Sequence, residues 1–118
     1  MGMKRLRNHI TGIDQGDETL FMDYENGGEM WTGEGNRERR ATVRFSEKYN
    51  ANPSVMLTVS LWDVDYSTNI RSEVVAENIS KTKFDIVFRT WGNTRIAQAR
   101  VSWMAIGEME DEDVWDVP

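Results

Sequence analysis

Hydrophobic and polar residues alternate along most of the chain, and no long stretch repeats with the period of a helix. Phe84, Ile86 and Phe88 fall on one side of an extended chain, whereas Asp85 falls on the other. Three further runs have the same period of two: Ala41 to Phe45, Val55 to Leu61, and Ala97 to Ala105. This pattern predicts β-strands in which one side faces a core.

The N-terminal third has a weaker pattern. Residues 7–14 and 18–24 are predicted to form two short strands around a turn at residues 15–17. Residues 25–36 follow with four glycines, and we predict no regular structure there.

Six or seven short strands separated by turn signals predict an all-β fold, an antiparallel sandwich or barrel. The chain is divided into N-terminal strands with a glycine-rich loop (1–36), a core (37–107) and an acidic tail (108–118). At 118 residues it is expected to fold as one domain.

Charge is distributed unevenly along the chain. The net charge is −6, but residues 108–118 hold six acidic residues and no basic one. Residues 1–107 hold fourteen acidic and fourteen basic residues, so the body is neutral. A neutral body argues against a nucleic-acid-binding protein, which usually presents a basic face. The tail is predicted to be a solvated extension, with Trp115 as a secondary candidate for contact with a neighbouring subunit.

Neither a signal peptide nor a membrane span is expected, since no run is long and apolar enough. The cell compartment is left open by the sequence. An extracellular or particle-associated place, reached by a route without a signal peptide, is compatible with it.

Catalysis and metal binding find little support in the sequence. There is no cysteine, and His9 has no nucleophile signature around it, so no catalytic residue, cofactor or metal is predicted. Residues 63–69 resemble the start of a calcium loop, but the glycine is missing and Val74 takes the place of the bidentate glutamate. We predict a turn capped by side-chain hydrogen bonds instead.

Two other groups are assigned structural roles. Trp31 is expected in the core or at its rim, and the core is favoured because large aromatic residues of sandwiches usually lie there. Four arginines are predicted to form surface or intersubunit ion pairs with the glutamates among them. The arginines are Arg37, Arg39, Arg40 and Arg44, and the glutamates are Glu34, Glu38 and Glu47.

The turn Trp91-Gly92-Asn93-Thr94-Arg95 and the nearby Arg71 carry groups that a core does not need. An exposed indole packs on the apolar face of a sugar ring, and a guanidinium donates to its hydroxyls. Two structural alternatives stay open: Trp91 packs against a neighbouring strand, and Arg71 pairs with an acid.

Residues 43–108 resemble the H-type lectin domain, found in snail agglutinin and at the C-terminal end of discoidins. The matching motifs are VRF, PSVMLTVSLWDVD, Asn69-Ile70-Arg71, AENISKTKFDIVFRTW and ARVSWMAIG. The preceding GEMWTGEGNRERRATVRF resembles the variant found in bacterial and phage-associated members.

This resemblance implies a six-stranded antiparallel β-sandwich, with an extra N-terminal strand region, that assembles as a homotrimer. It also implies a non-enzymatic lectin that binds galactose- or N-acetylgalactosamine-type glycans, as in cell adhesion. The sugar would lie between adjacent protomers, one contributing the arginine and the loop before VRF, the other the tryptophan turn. The predicted ligand-binding residues are Arg71, Trp91, Gly92, Asn93, Arg95, Glu34, Gly35 and Asn36.

The chain departs from the family pattern at three positions. Gly35 stands where animal members usually have an acidic residue, with Glu34 one position away, and Gly92 replaces a polar side chain. Ala97 stands where an aromatic residue is expected. The alternative is therefore a trimeric structural or adaptor module, of a phage-like or cell-surface assembly, that has lost sugar binding.

Overall fold

The computed structural model describes residues 2–7 and 10–110. Six strands and two short helices follow one another along the chain. They are β1 (Thr11–Phe21), α1 (Asp23–Asn26), α2 (Glu29–Thr32), β2 (Arg37–Arg44), β3 (Ser54–Val64), β4 (Ser72–Glu77), β5 (Lys83–Thr90) and β6 (Ile96–Glu108).

The strands form two three-stranded antiparallel sheets. Sheet A has the order β1-β6-β3, and sheet B has the order β2-β5-β4. The predicted six-stranded antiparallel sandwich is confirmed. The alternating runs explain it, since each central strand turns one side to the other sheet.

The core fills the space between the sheets in two clusters. The larger is built around Phe45, Phe84 and Trp103, and the smaller around Phe21 and Phe88. Ring centroids of Phe45 and Phe84 lie 5.5 Å apart, and those of Phe21 and Phe88 lie 5.4 Å apart. The predicted buried side of β6 is confirmed: Ala97, Ala99, Val101, Trp103 and Ala105 are all buried.

The predicted turn at residues 15–17 is wrong, because β1 runs unbroken through them. Gly16 is paired with Trp103 of β6, whose indole lies directly over it. A Cβ on Gly16 would come within 2.9 Å of the indole Nε1. The glycine therefore makes room for a core side chain, and one long strand replaces the two short ones.

The absence of regular structure predicted for residues 25–36 is also wrong, because α2 lies within this segment and α1 ends in it. Gly27 ends α1 in the left-handed conformation, with φ of 69°. The buried carboxylate of Asp23 accepts a hydrogen bond from the backbone N–H of Met30 at 2.9 Å. Arg39 of β2 pairs with the same carboxylate at 2.9 Å, so the two helices are fixed to sheet B.

Strand β3 departs from strict alternation. A bulge lies between Val59 and Leu61, and Val59 is 39% exposed although the period of two predicts it in the core. The predicted capped turn after this strand is confirmed: Asp65 Oδ1 accepts from the backbone N–H of Ser67 at 2.8 Å and from its hydroxyl at 2.7 Å.

Candidate functional site

The turn after β5 lies at one end of sheet B. Arg37 of β2 and Ser72 of β4 are both paired with Thr90, the last residue of β5. Asn36 and Arg71 directly precede β2 and β4, and Trp91 directly follows β5. The three residues therefore lie side by side, with Trp91 in the middle. This row is the end row of the outer face of sheet B.

The glycine-rich loop is bonded directly to the turn of the same chain. The backbone N–H of Gly35 donates to the carbonyl of Gly92 at 2.9 Å. Both residues have positive φ, 77° and 71°, where a residue with a side chain is strained. These two glycines hold the loop against the turn, so Asn36 lies beside Trp91 although the two residues are far apart in sequence.

The buried side chain of Arg37 also links the glycine-rich loop to the turn after β5. Its guanidinium donates to four backbone carbonyls, those of Glu29, Met30, Gly35 and Gly92, at 3.0 to 3.3 Å. Arg37 is 5% exposed, so the surface ion pair predicted for it is wrong. Its charge is instead satisfied by carbonyls from three separate segments that meet beneath the site.

Two buried threonines hold the backbone of Arg71, and sequence reasoning missed this role for both. The hydroxyl of Thr90 donates to the carbonyl of Arg71 at 2.6 Å. The hydroxyl of Thr94 accepts from the N–H of Arg71 at 3.0 Å and donates to the carbonyl of Asn69 at 2.7 Å. Both threonines are at most 1% exposed. The sequence gives no signal for these backbone hydrogen bonds, because the partners of the two threonines lie about 20 residues away in the chain.

The side chains of Arg71 and Trp91 are left available to a ligand. Trp91 is 38% exposed, and within the described part of the chain its indole has no ring or cation partner. The guanidinium of Arg71 has no hydrogen bond or ion pair to any residue in 2–7 or 10–110. A Cβ on Gly92 would lie 3.9 Å from Arg71 Cδ, so the arginine stem passes close to the turn.

Asn93 and Arg95 lie in the same turn but make internal contacts. The side-chain oxygen of Asn93 accepts from the N–H of Asn69 at 3.3 Å. Arg95 donates to the carbonyl of Trp31 at 2.9 Å and pairs with Asp65 at 3.1 Å. Hydrogen bonds from Ser67, together with Arg95, lower the pKa of Asp65, so this pair stays charged at neutral pH.

Trp31 is half-buried at the rim, so its predicted place in the core is wrong. The guanidinium of Arg95 lies 4.1 Å from the centre of its ring, and the ring of Tyr24 meets it edge-on at 5.1 Å. The core place beside it is taken by Met30, which is fully buried.

The remaining candidate residues belong to the loop. Glu34, Gly35 and Asn36 are exposed beside the turn. Ala97, where the family has an aromatic residue, is buried in β6 next to the exposed Tyr24.

A second row of outer-face residues adjoins the first. Arg89 donates to Glu38 at 2.9 Å, to Glu73 at 3.2 Å and to Glu77 at 2.9 Å. These bonds raise the pKa of Arg89. Hydrogen bonds from Arg40 and Arg89 lower the pKa of Glu38 and of Glu77. The predicted surface ion pairs are thus confirmed for Arg40.

A groove of about 530 Å³ runs between the two rows. Asn36 and Trp91 line it from the first row, and Glu38, Glu73 and Arg89 from the second. Over residues 2–7 and 10–110, no group of histidine and carboxylate side chains is arranged to hold a metal ion. In the same ranges no helix has the length and apolar character needed to cross a membrane.

Similar proteins agree with the sequence resemblance. A curated protein from Fuscovulum blasticum, named ATP synthase subunits region ORF 7, is 47% identical over 106 residues, which are 90% of this chain and 92% of that protein. Two structures of discoidin II from Dictyostelium discoideum superpose with TM-scores of 0.74 and 0.72 at 22% and 23% identity. They cover 94% and 91% of this chain, which spans 41% and 40% of the discoidin II chains.

The discoidin II structures support the fold alone, because at 22% and 23% identity the role of a residue cannot be transferred from one protein to the other. The sequence profile of the H-type lectin domain matches residues 40–106, more than half of the chain. The chain therefore belongs to the H-type lectin domain family, a family of carbohydrate-binding domains.

Proposed function

We propose that this chain is a non-enzymatic lectin that binds galactose- or N-acetylgalactosamine-type glycans at the row Asn36–Trp91–Arg71. One observation carries the proposal. Arg71, whose backbone is held by two buried threonines, stands beside Trp91, and neither side chain has a hydrogen-bond, ionic or ring partner among the described residues. A fixed and unsatisfied aromatic–cation pair at a surface is suited to a ligand that offers both an apolar face and hydroxyl groups.

The chemistry of each group fits a pyranose. The indole of Trp91 stacks on the apolar face of the sugar ring. Arg71 donates hydrogen bonds to adjacent hydroxyl oxygens, since a guanidinium presents its N–H groups in a planar fork. Glu34 and Asn36 are both exposed, and we propose that Glu34 accepts and Asn36 accepts or donates hydrogen bonds on the other side of Trp91. Gly92 leaves the face of the turn open, so the sugar can approach the backbone.

Assembly as a homotrimer remains part of the proposal, and exposed apolar side chains support it. On the outer face of sheet A, Ile13 is 64% and Met56 is 65% exposed. At the edge where β3 passes β4, Trp62 is 45% and Ile70 is 48% exposed. Ile70 directly precedes Arg71, so a second protomer packed against this edge would come close to the site.

The division of the site between protomers is proposed in a modified form. The family resemblance assigns the loop and the tryptophan turn to different protomers. Here the loop and the turn of one chain are already joined by the hydrogen bond from Gly35 to Gly92. A neighbouring protomer would therefore add a further wall to a row that one chain carries in full. Three such sites on one particle would raise a weak affinity for a glycan-coated surface.

Calorimetric titration with galactose and N-acetylgalactosamine tests the proposal, with sedimentation run on the same sample. We expect saturable binding in the millimolar range or tighter, by a species of three chains. A folded sample that binds no galactose-type sugar at millimolar concentration would refute the lectin function. Sugar binding by a monomeric sample would refute the trimer but would leave the proposed sugar site intact.

A second candidate is a trimeric adaptor that has lost sugar binding. It is favoured by the internal use of Asn93 and Arg95, which takes two residues from the predicted site. It is also favoured by Ala97, which is buried where the family has an aromatic residue. In that case Arg71→Ala and Trp91→Ala change no binding. The decisive substitutions would fall on outer strand residues or in the tail 108–118, most of which lies outside the described residues.

A further inference from the structure

We infer that the ligand is an oligosaccharide, and that a second, neutral sugar lies along β5 in the groove between Trp91 and Arg89. The inference rests on the proposed function, since it takes the first sugar to lie at Trp91.

Strand geometry places the second row within reach of the first. Arg89 lies two residues before Trp91, so both side chains point to the outer face, about 7 Å apart along the strand. Glu38 and Glu73 are paired with Arg89 from either side. A glycan leaving Trp91 along β5 therefore meets a complete row of polar groups one sugar unit away.

The groove is large enough for this. Its volume of about 530 Å³ falls within the range of roughly 300–1,000 Å³ that is usual for small-molecule sites. Trp91 forms one wall, and Glu38, Glu73 and Arg89 form the other, so the first and second rows share one cavity.

The second row is organised before a ligand arrives. Three carboxylates hold the guanidinium of Arg89, which leaves it little freedom to lose on binding. A guanidinium has five N–H groups, and these bonds use three of them. Two remain for the oxygen atoms of a sugar.

Glu73 supplies the matching acceptor. One of its oxygens accepts from Arg89, whereas the other has no hydrogen bond within residues 2–7 and 10–110. Its side chain is 49% exposed, the largest exposed fraction among the three carboxylates bonded to Arg89. Because three carboxylates surround the single positive charge of Arg89, the row has excess negative charge and favours a neutral sugar over an acidic one.

The test compares N-acetylgalactosamine with neutral disaccharides that end in N-acetylgalactosamine through different linkages. Calorimetric titration is run on the wild-type protein, on Glu73→Gln, and on the matched control Glu77→Gln. Glu77 bonds the same guanidinium but does not line the groove. We expect one linkage to bind about 5-fold more tightly than the monosaccharide. Glu73→Gln removes this advantage and leaves the monosaccharide affinity unchanged, whereas Glu77→Gln keeps the advantage.

Two results would overturn the inference in different ways. Equal affinity for the monosaccharide and every disaccharide would refute the site for a second sugar and leave the proposed function intact. No binding of any of these sugars would remove the proposed function and the inference with it. Thermal unfolding of Glu73→Gln, expected at a temperature no lower than that of Glu77→Gln, verifies that a lost advantage is not a lost fold.

Discussion

Two arginine–tryptophan pairs lie at the same end of the sandwich, and they are used differently. In the first, Arg95 stacks on Trp31 with its guanidinium 4.1 Å from the ring centre and also bonds the Trp31 carbonyl and Asp65. In the second, Arg71 and Trp91 lie side by side without such a contact.

The difference separates stability from binding. The first pair is satisfied inside the chain and joins the two helices to the turn after β3. In the second pair the backbone of Arg71 is fixed, and neither side chain has a hydrogen-bond, ionic or ring partner among the described residues, which suits recognition. Residue type alone does not distinguish the two pairs. The difference is that the Arg95 guanidinium bonds other residues of the chain, whereas the Arg71 guanidinium is available to a ligand. Four substitutions or conditions test this comparison, from the largest expected effect to the smallest.

Substituting Arg71 or Trp91 should affect binding most. Arg71→Ala removes charge-assisted hydrogen bonds, and Trp91→Ala removes the stacking surface, so each should weaken sugar binding by about 10- to 100-fold. Titration calorimetry measures the affinity. Thermal unfolding should change little in Arg71→Ala, whose guanidinium has no partner in the described ranges. Trp91→Ala should also lose some stability, because the indole is only 38% exposed. Unchanged affinity in both variants would move the site away from this row.

Substituting the support of Arg71 should affect both properties. Thr94→Val keeps the shape of a fully buried side chain but leaves the Asn69 carbonyl and the Arg71 N–H without their partner. We expect a loss of about 1–2 kcal/mol in the free energy of unfolding, with weaker sugar binding as a consequence. Urea titration gives the first and calorimetry the second. Thr42→Val, whose hydroxyl is exposed, is the matched control and should lose less. An equal loss in both variants would contradict the role of Thr94.

Substituting the satisfied pair should affect stability first. Arg95→Ala removes the stack on Trp31 and the contact with Asp65, at about 1 kcal/mol in the free energy of unfolding. Its effect on sugar affinity should be smaller than that of Arg71→Ala. Parallel urea and sugar titrations of the two variants compare these effects. Abolished binding with unchanged stability in Arg95→Ala would make Arg95 a ligand residue and break the comparison.

Acid should loosen the second row of sheet B. Hydrogen bonds from Arg89 and Arg40 lower the pKa of Glu77 in the folded state below its ordinary value of 4.5. The stabilisation by this carboxylate is therefore complete above pH 4.5 and is lost as the pH falls through the folded pKa. Urea midpoints measured from pH 6 down to pH 3 should fall less steeply in Glu77→Gln than in the wild type. Parallel curves would show that the pair contributes nothing measurable.

The strands could be predicted because their signal is local. At Phe84, Ile86 and Phe88, the period of two identifies the side of β5 that faces the other sheet, although Val87 on the opposite side is buried as well. The helices could not be predicted, because they depend on a bond between Asp23 and the Met30 N–H and on Arg39 from another strand.

The site was only partly predictable for the same reason. Trp91 and Arg71 stand out as groups that a core does not need. The role of Arg37 depends on carbonyls from three segments that meet only in the folded chain, so its neighbouring glutamates suggested ion pairs instead. Arg95 and Asn93 resembled ligand residues because their internal partners, Trp31 and Asn69, are distant in sequence.

A crystal structure of the protein grown with N-acetylgalactosamine would test the binding site at Trp91 and Arg71. We expect the sugar ring to stack on the Trp91 indole, with a hydroxyl oxygen within hydrogen-bond distance of the Arg71 guanidinium. A sugar bound elsewhere, with Trp91 and Arg71 empty under saturating conditions, would contradict it.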